Sequence, residues 1–275
     1  IFGGMIWMTM DTWVNLVSDN ENRGKAIGFY NSAITFGFAI GPLLIGIFGT
    51  EGTVPIIIAV FLMIIRTPVM MTIKKQVNNV NIPKLKKKLD FSFIKIAPFI
   101  FISIFVSGII DSTFSALFPA YMINEFFSDK EIGYIFFVGL FIGVFFQPFV
   151  GSLTDKINKR FLIIIFLIFH LIWPILLNNF ISNLLIIYFS VIIWGIASIS
   201  LYTVTLAYLG ERVKITELSI ATSVFIIIFE FGEFIGPIII GLIMDIYGNI
   251  GFIYSLLIFA FFSLFIGIIR SFVKK

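Results

Sequence analysis

The chain has no cysteine and only one histidine in its 275 residues. Disulfides, thiolate catalysis and Cys-ligated metals are therefore excluded, and a lone histidine cannot by itself supply a His-based metal site. Charge is also scarce. Charged residues make up 12% of the chain, against about 25% in a soluble domain. No stretch reads as a soluble domain or a cleavable signal peptide. No Gly-rich nucleotide loop or clustered nucleophile is visible either, which argues against an enzyme. No cofactor or metal is expected.

What is abundant is apolar. Hydrophobic residues make up 59% of the chain and the mean hydropathy is +1.09. A helix needs about 20 apolar residues to cross a bilayer. Eight segments meet that length, near 27–48, 54–73, 94–122, 132–149, 161–177, 184–209, 215–244 and 250–269. A partial span, 1–17, precedes them. The expected fold is an all-α polytopic membrane protein.

The few cations are not scattered. With alternate connections taken as one side, segments 18–25, 66–95, 154–160, 211–217 and 270–275 hold 18 of the 19 Lys and Arg residues. The other side holds only Lys130. Such a bias in short loops sets topology, so the basic side should be cytoplasmic and the C-terminus inside. This bias accounts for the pI near 9.2 without a nucleic-acid partner.

The longest polar connection, 74–90, reads KKQVNNVNIPKLKKKLD and contains Pro83. It divides the chain into 1–73, a basic linker at 74–93, and a six-span unit at 94–275. Lys84–Lys88 could also contact anionic lipid, at roughly 1 kcal/mol per charge.

The two units echo each other. Residues 22–46 read NRGKAIGFYNSAITFGFAIGPLLIG, and 217–241 read ELSIATSVFIIIFEFGEFIGPIIIG. A shift of 195 places Gly37, Gly41, Pro42 and Gly46 on Gly232, Gly236, Pro237 and Gly241. Both segments run in the same direction across the membrane. Such a repeat suggests two six-helix halves related by an axis along the membrane normal. The helices present would then be 4 to 12 of twelve, with the first three missing. The initial Ile1, rather than Met, fits a fragment, and 275 residues expressed alone would be expected to be unstable or inactive.

At this point the chain resembles a major facilitator superfamily transporter. The run Gly37-x-x-x-Gly41-Pro42 resembles the family's antiporter-type motif, although Ile45 stands where a second glycine would follow. The loop GSLTDKINKR at 151–160 resembles the family's loop signature. Gly151, Leu153, Asp155, Lys156, Lys159 and Arg160 match, and Asn158 replaces the second glycine. The stretches MDTWVN…NRGKAIGFY and LYTVTLAYLGER resemble a bacterial subgroup.

The resemblance implies a monomeric secondary transporter of a small solute in a bacterial inner membrane. It implies that Asp155 docks near the start of helix five, close to Arg23, as part of a gating loop with Lys159 and Arg160. It places helices 1, 4, 7 and 10 around a central cavity.

The residues themselves add to this. Glycines four apart flatten a helix face for close approach, and proline bends a helix. Gly37, Gly41, Pro42, Gly232, Gly236 and Pro237 are therefore read as packing and bending elements. A charge at the bilayer centre costs at least about 2.5–3.5 kcal/mol on insertion scales, so such charges mark function. The candidates are Asp11, Arg66, Asp111, Glu230 and Glu233.

At 100° per residue, Gly4, Asp11, Asn15 and Ser18 share a stripe. So do Gly108, Asp111, Ser112 and Ser115, and so do Gly195, Ser198, Tyr202 and Thr205. Asp11, Asn15, Asp111, Ser115 and Tyr202 are the expected substrate cavity. Glu230 and Glu233 lie three apart and are expected to titrate as a pair, either in proton coupling or as a structural pair satisfied by Tyr, Ser, backbone or a basic partner. Arg66 is expected to snorkel to the headgroups, and His170 and the tryptophans to pack.

Overall fold

The structure is a computed structural model. It describes residues 9–15, 18, 21–50, 52–77 and 98–273, without the side chains of 66–67, 69–70, 72–77 and 270–273. Gly4, the Arg66 side chain and the basic linker from residue 78 onward lie outside the described residues.

Among the described residues the regular structure is entirely helical. A short helix, α1, covers 9–15. It is followed by α2 (Arg23–Phe48), α3 (Val54–Val77), α4 (Pro98–Asn124), α5 (Asp129–Thr154), α6 (Lys159–Asn179), α7 (Leu184–Arg212), α8 (Leu218–Tyr247) and α9 (Asn249–Val273). Seven of these are long and apolar enough to cross a membrane, and the described apolar stretch of α3, Val54–Ile65, is shorter. Most long helices contain a span expected from hydropathy, extended by a few residues at their ends, whereas α8 begins at Leu218, three residues after the expected start, and residues 94–97 of the expected third span lie outside the described residues.

Local chemistry explains those ends. Ser128 begins α5 in a capping box, in which its side chain accepts from the Glu131 N–H while the Glu131 carboxylate accepts from the Ser128 N–H at 2.9 Å. Asn183 begins α7, accepting from the N–H groups of Leu185 and Ile186 at 3.1 and 3.3 Å. Gly49 and Gly248 end α2 and α8 with φ of 77° and 71°, a region that disfavours other residues.

α2 lies along α5, α4 along α8, and α7 between α5 and α6. Backbones approach closely along these seams. A Cβ built on Gly195 of α7 would sit 1.8 Å from the Gly139 carbonyl oxygen of α5. One on Gly232 or Gly236 of α8 would sit 2.3 Å from the Phe105 oxygen or 2.7 Å from the Ile109 oxygen of α4. With little hydrophobic drive between helices in lipid, such small-residue contacts supply much of the association.

Along α2 the contact glycines are Gly24, Gly28 and Gly46, facing Gly151, Gln147 and Tyr134 of α5. Gly37 and Gly41, expected to pack, have nothing among the described residues within 4 Å of such a Cβ. They lie about 130° or more round the helix from Gly28, on another face. Two apolar cores fill the bundle, one containing Ile100, Phe166, Leu209 and Phe225, the other Phe114, Phe118, Trp173 and Phe252.

Candidate functional site

Near the middle of the bundle, α2, α4, α5, α7 and α8 line a half-open cavity of about 500 Å³. That volume suits a drug-sized molecule. Its wall is largely apolar, with rings from Phe38, Phe136, Trp194 and Phe229. Set into it are two carboxylates, Asp111 of α4 and Glu233 of α8.

Asp111 is placed by α4, the most buried of the spans. One of its carboxylate oxygens accepts from Ser107 Oγ, one turn earlier, at 3.1 Å. The other has no hydrogen-bond partner among the described residues. The Ser198 hydroxyl faces it from α7 without reaching bonding geometry. Glu233 is near enough for its carboxylate to interact electrostatically with Asp111. Ser115 and Tyr202 also line the cavity.

Three expectations need correction. Asp11 is fully buried behind the wall, where Tyr202 Oη donates to its carboxylate, and it does not line the cavity. The Tyr30 hydroxyl of α2 faces the same carboxylate. Asn15, one turn further, is buried beside Gly210 and Arg23 at the basic end, outside the cavity. A stripe fixes a direction, but four residues along the helix carry Asn15 about 6 Å further toward that end. Glu230 is exposed and does not join Glu233 in the cavity wall. It stands about 160° from Gly232, so the α8 face against α4 turns it outward.

Sequence reasoning missed a polar layer on the basic-end side of the cavity. Asn31 Nδ2 donates to Thr203 Oγ1 at 2.9 Å, and Gln147 Nε2 donates to Thr35 Oγ1 at 3.0 Å. The Ser32 hydroxyl donates to the Val144 carbonyl. Asn31 and Gln147 stand out as amides within apolar helices, and that was the available signal.

The basic end is clasped. Asp155, at the end of α5, accepts from the backbone N–H groups of Gly24 and Lys25 at 3.0 and 3.2 Å. Arg23 Nη1 donates to the Gly210 carbonyl of α7 at 2.9 Å. Lys159 pairs with Glu211 at 2.8 Å. Asn158 caps α6 by accepting from the Arg160 N–H at 2.9 Å. This gives a structural role to the residue that departs from the loop pattern.

His170 is buried in α6, with neither ring nitrogen bonded among the described residues, and it does not line the cavity. Trp194 lines the cavity, whereas Trp173 is core. Among the described residues, no group of three or more His, Cys, Asp or Glu could hold a metal.

A ladder of apolar helices long enough to cross a bilayer defines an integral membrane protein. The Major Facilitator Superfamily model matches residues 1–97 and 100–275. The chain belongs to that family, whose members are membrane transporters and not enzymes.

It is 25% identical to the uncharacterized MFS-type transporter MJ1560 of Methanocaldococcus jannaschii, over 98% of this chain and 71% of that protein. It is 21% identical to the uncharacterized MFS-type transporter YfkF of Bacillus subtilis, over 91% of this chain and 65% of that one. It is also 21% identical to the uncharacterized MFS-type transporter YcaD of Escherichia fergusonii, over 89% and 63%. The chain thus spans about two thirds of the length of these relatives.

Proposed function

We propose that this chain forms the working part of a proton-coupled secondary transporter, which moves a small solute by alternating access. The observation that carries the reading is the placement of Asp111 and Glu233 together on one mid-membrane cavity. Both are half-buried; carboxylates at membrane depth are costly, and where they persist they mark solute paths and proton relays.

The cavity lies between α2, from the unit before the linker, and helices of the unit after it. Motion of one unit against the other would change which side it faces. The bonds of Asp155, Arg23 and Asn31 join the two units at and above the basic end. On this reading they are the closed gate. The basic end faces the cytoplasm of a bacterial cell, by the positive-inside rule. The protein works as a monomer.

Purified protein in proteoliposomes loaded with a pH-sensitive dye would be offered candidate solutes. Solute-driven proton flux is expected in the parent and its loss in Asp111→Asn or Glu233→Gln. Unchanged flux in both variants would rule out coupling through this cavity.

A further inference from the structure

We propose that the cavity takes a lipophilic organic cation, held by Asp111 and Glu233 at its charge and by aromatic rings along its apolar body. This rests on the transport reading and names its substrate class.

Three features of the wall point the same way. First, its formal charge is of one sign. Asp111 and Glu233 line the cavity, and among the described lining residues there is no Lys, Arg or His. Two carboxylates this close repel each other when both are ionised. A cation between them relieves that repulsion, whereas an anion adds to it.

Second, the wall has acceptors to spare beside its carboxylates. Asn31 and Gln147 each commit one amide N–H, to Thr203 and Thr35, and the Ser115 hydroxyl donates to the Asp111 carbonyl. What lacks a partner among the described residues is one Asp111 carboxylate oxygen, the Gln147 carbonyl oxygen and the Ser198 hydroxyl. A positively charged ligand needs acceptors and gets them.

Third, the remainder is aromatic and aliphatic. Phe136, Trp194 and Phe229, with Ile34, Leu140 and Ile199, form a surface for an apolar body. Aromatic faces also attract a cation, at about 0.5–2 kcal/mol.

Protons and such a cation would compete for the same two acids. Facing them are Tyr202 of α7, with Asp11 behind it, and Glu230 further round α8. α2 and α5 contribute only neutral groups to the wall. Binding should therefore weaken as pH falls.

The test uses a matched pair of probes, tetraphenylphosphonium and tetraphenylborate, which share a shape and differ in the sign of charge. Each is titrated separately into the detergent-purified protein, with quenching of tryptophan fluorescence as the readout, since Trp194 lines the cavity. Saturable binding of the phosphonium is expected, weaker at lower pH, with little binding of the borate. Asp111→Asn and Glu233→Gln should each weaken it by about tenfold or more, the scale of one lost charge contact. Size-exclusion elution checks folding, and if Asp111→Asn fails that check, Glu233→Gln decides alone.

Equal binding of the borate, or full binding in a folded variant, would overturn the proposal. The two readings fail separately. Phosphonium binding without solute-driven proton flux keeps the cation site and removes transport. Proton flux driven by an anionic or neutral solute, with no phosphonium binding, keeps transport and removes the cation site.

Discussion

The Asp155 carboxylate accepts the backbone N–H of Gly24 at 3.0 Å, across 131 residues of sequence. Its second oxygen accepts the N–H of Lys25 at 3.2 Å. The first N–H groups of a helix have no partner within the helix, and a negative charge there is stabilised by about 0.3–1 kcal/mol. One side chain thus ties the end of α5 to the start of α2. If this tie holds the basic end shut, Asp155→Ala should open it. The chain has no cysteine, so Ser198→Cys gives a single reactive thiol on the cavity wall. A water-soluble thiol reagent applied from the basic side should label it faster in the Asp155→Ala background.

The glycine seams carry a second expectation. Alanine at Gly195 would place a methyl 1.8 Å from the Gly139 oxygen, and at Gly108 2.2 Å from the Phe229 oxygen. Backbone cannot yield as a flexible side chain can, so each should destabilise by about 1–3 kcal/mol. Gly241 meets only Leu117 Cδ1, at 4.0 Å, among the described residues. There alanine should be tolerated. Thermal melting in detergent ranks the three.

Tyr202 joins α7 to the buried Asp11 of α1. Tyr202→Phe keeps the ring in its contacts with Phe225 and Phe229 and removes only the donor. A hydrogen bond contributes about 0.5–1.5 kcal/mol net, and leaving a buried acceptor unsatisfied costs about 1–3 kcal/mol. The variant should melt lower than Tyr254→Phe, whose parent residue is exposed on α9. Equal melting would mean that the bond to Asp11 contributes little.

Orientation can be checked in intact cells. Lys130 stands exposed at the start of α5, and Lys214 stands exposed at the opposite end, after α7. Lys130→Cys should react with an impermeant thiol reagent from outside. Lys214→Cys should react only after permeabilisation.

The sequence carried the helices clearly and the site unevenly. Hydropathy finds a span because bilayer thickness sets its length, so α2 and α5 differ from their expected bounds only at polar ends such as Arg23 and Thr154. Asp111 was legible for the same reason, being a charge where few are tolerated.

Glu230 and Glu233 were not separable, because spacing gives their relative angle and only the seam with α4 shows which one faces inward. Glycines posed the same difficulty. The motif drew attention to Gly37 and Gly41, while contact with α5 is made by Gly24, Gly28 and Gly46. A flat face in a sequence does not say which neighbour lies on it. The bonds of Asn31 and Gln147 join residues 172 and 112 positions apart, and no local pattern reports such a pairing.

The most direct measurement is the distance across the basic end. Spin labels at Lys25→Cys and Lys156→Cys, both exposed beside the Asp155 tie, would be followed by pulsed electron resonance in lipid nanodiscs. Alternating access predicts a short distance for the closed clasp and a second, longer population that grows in Asp155→Ala and shifts with pH. A single short distance under every condition, Asp155→Ala included, would contradict the account.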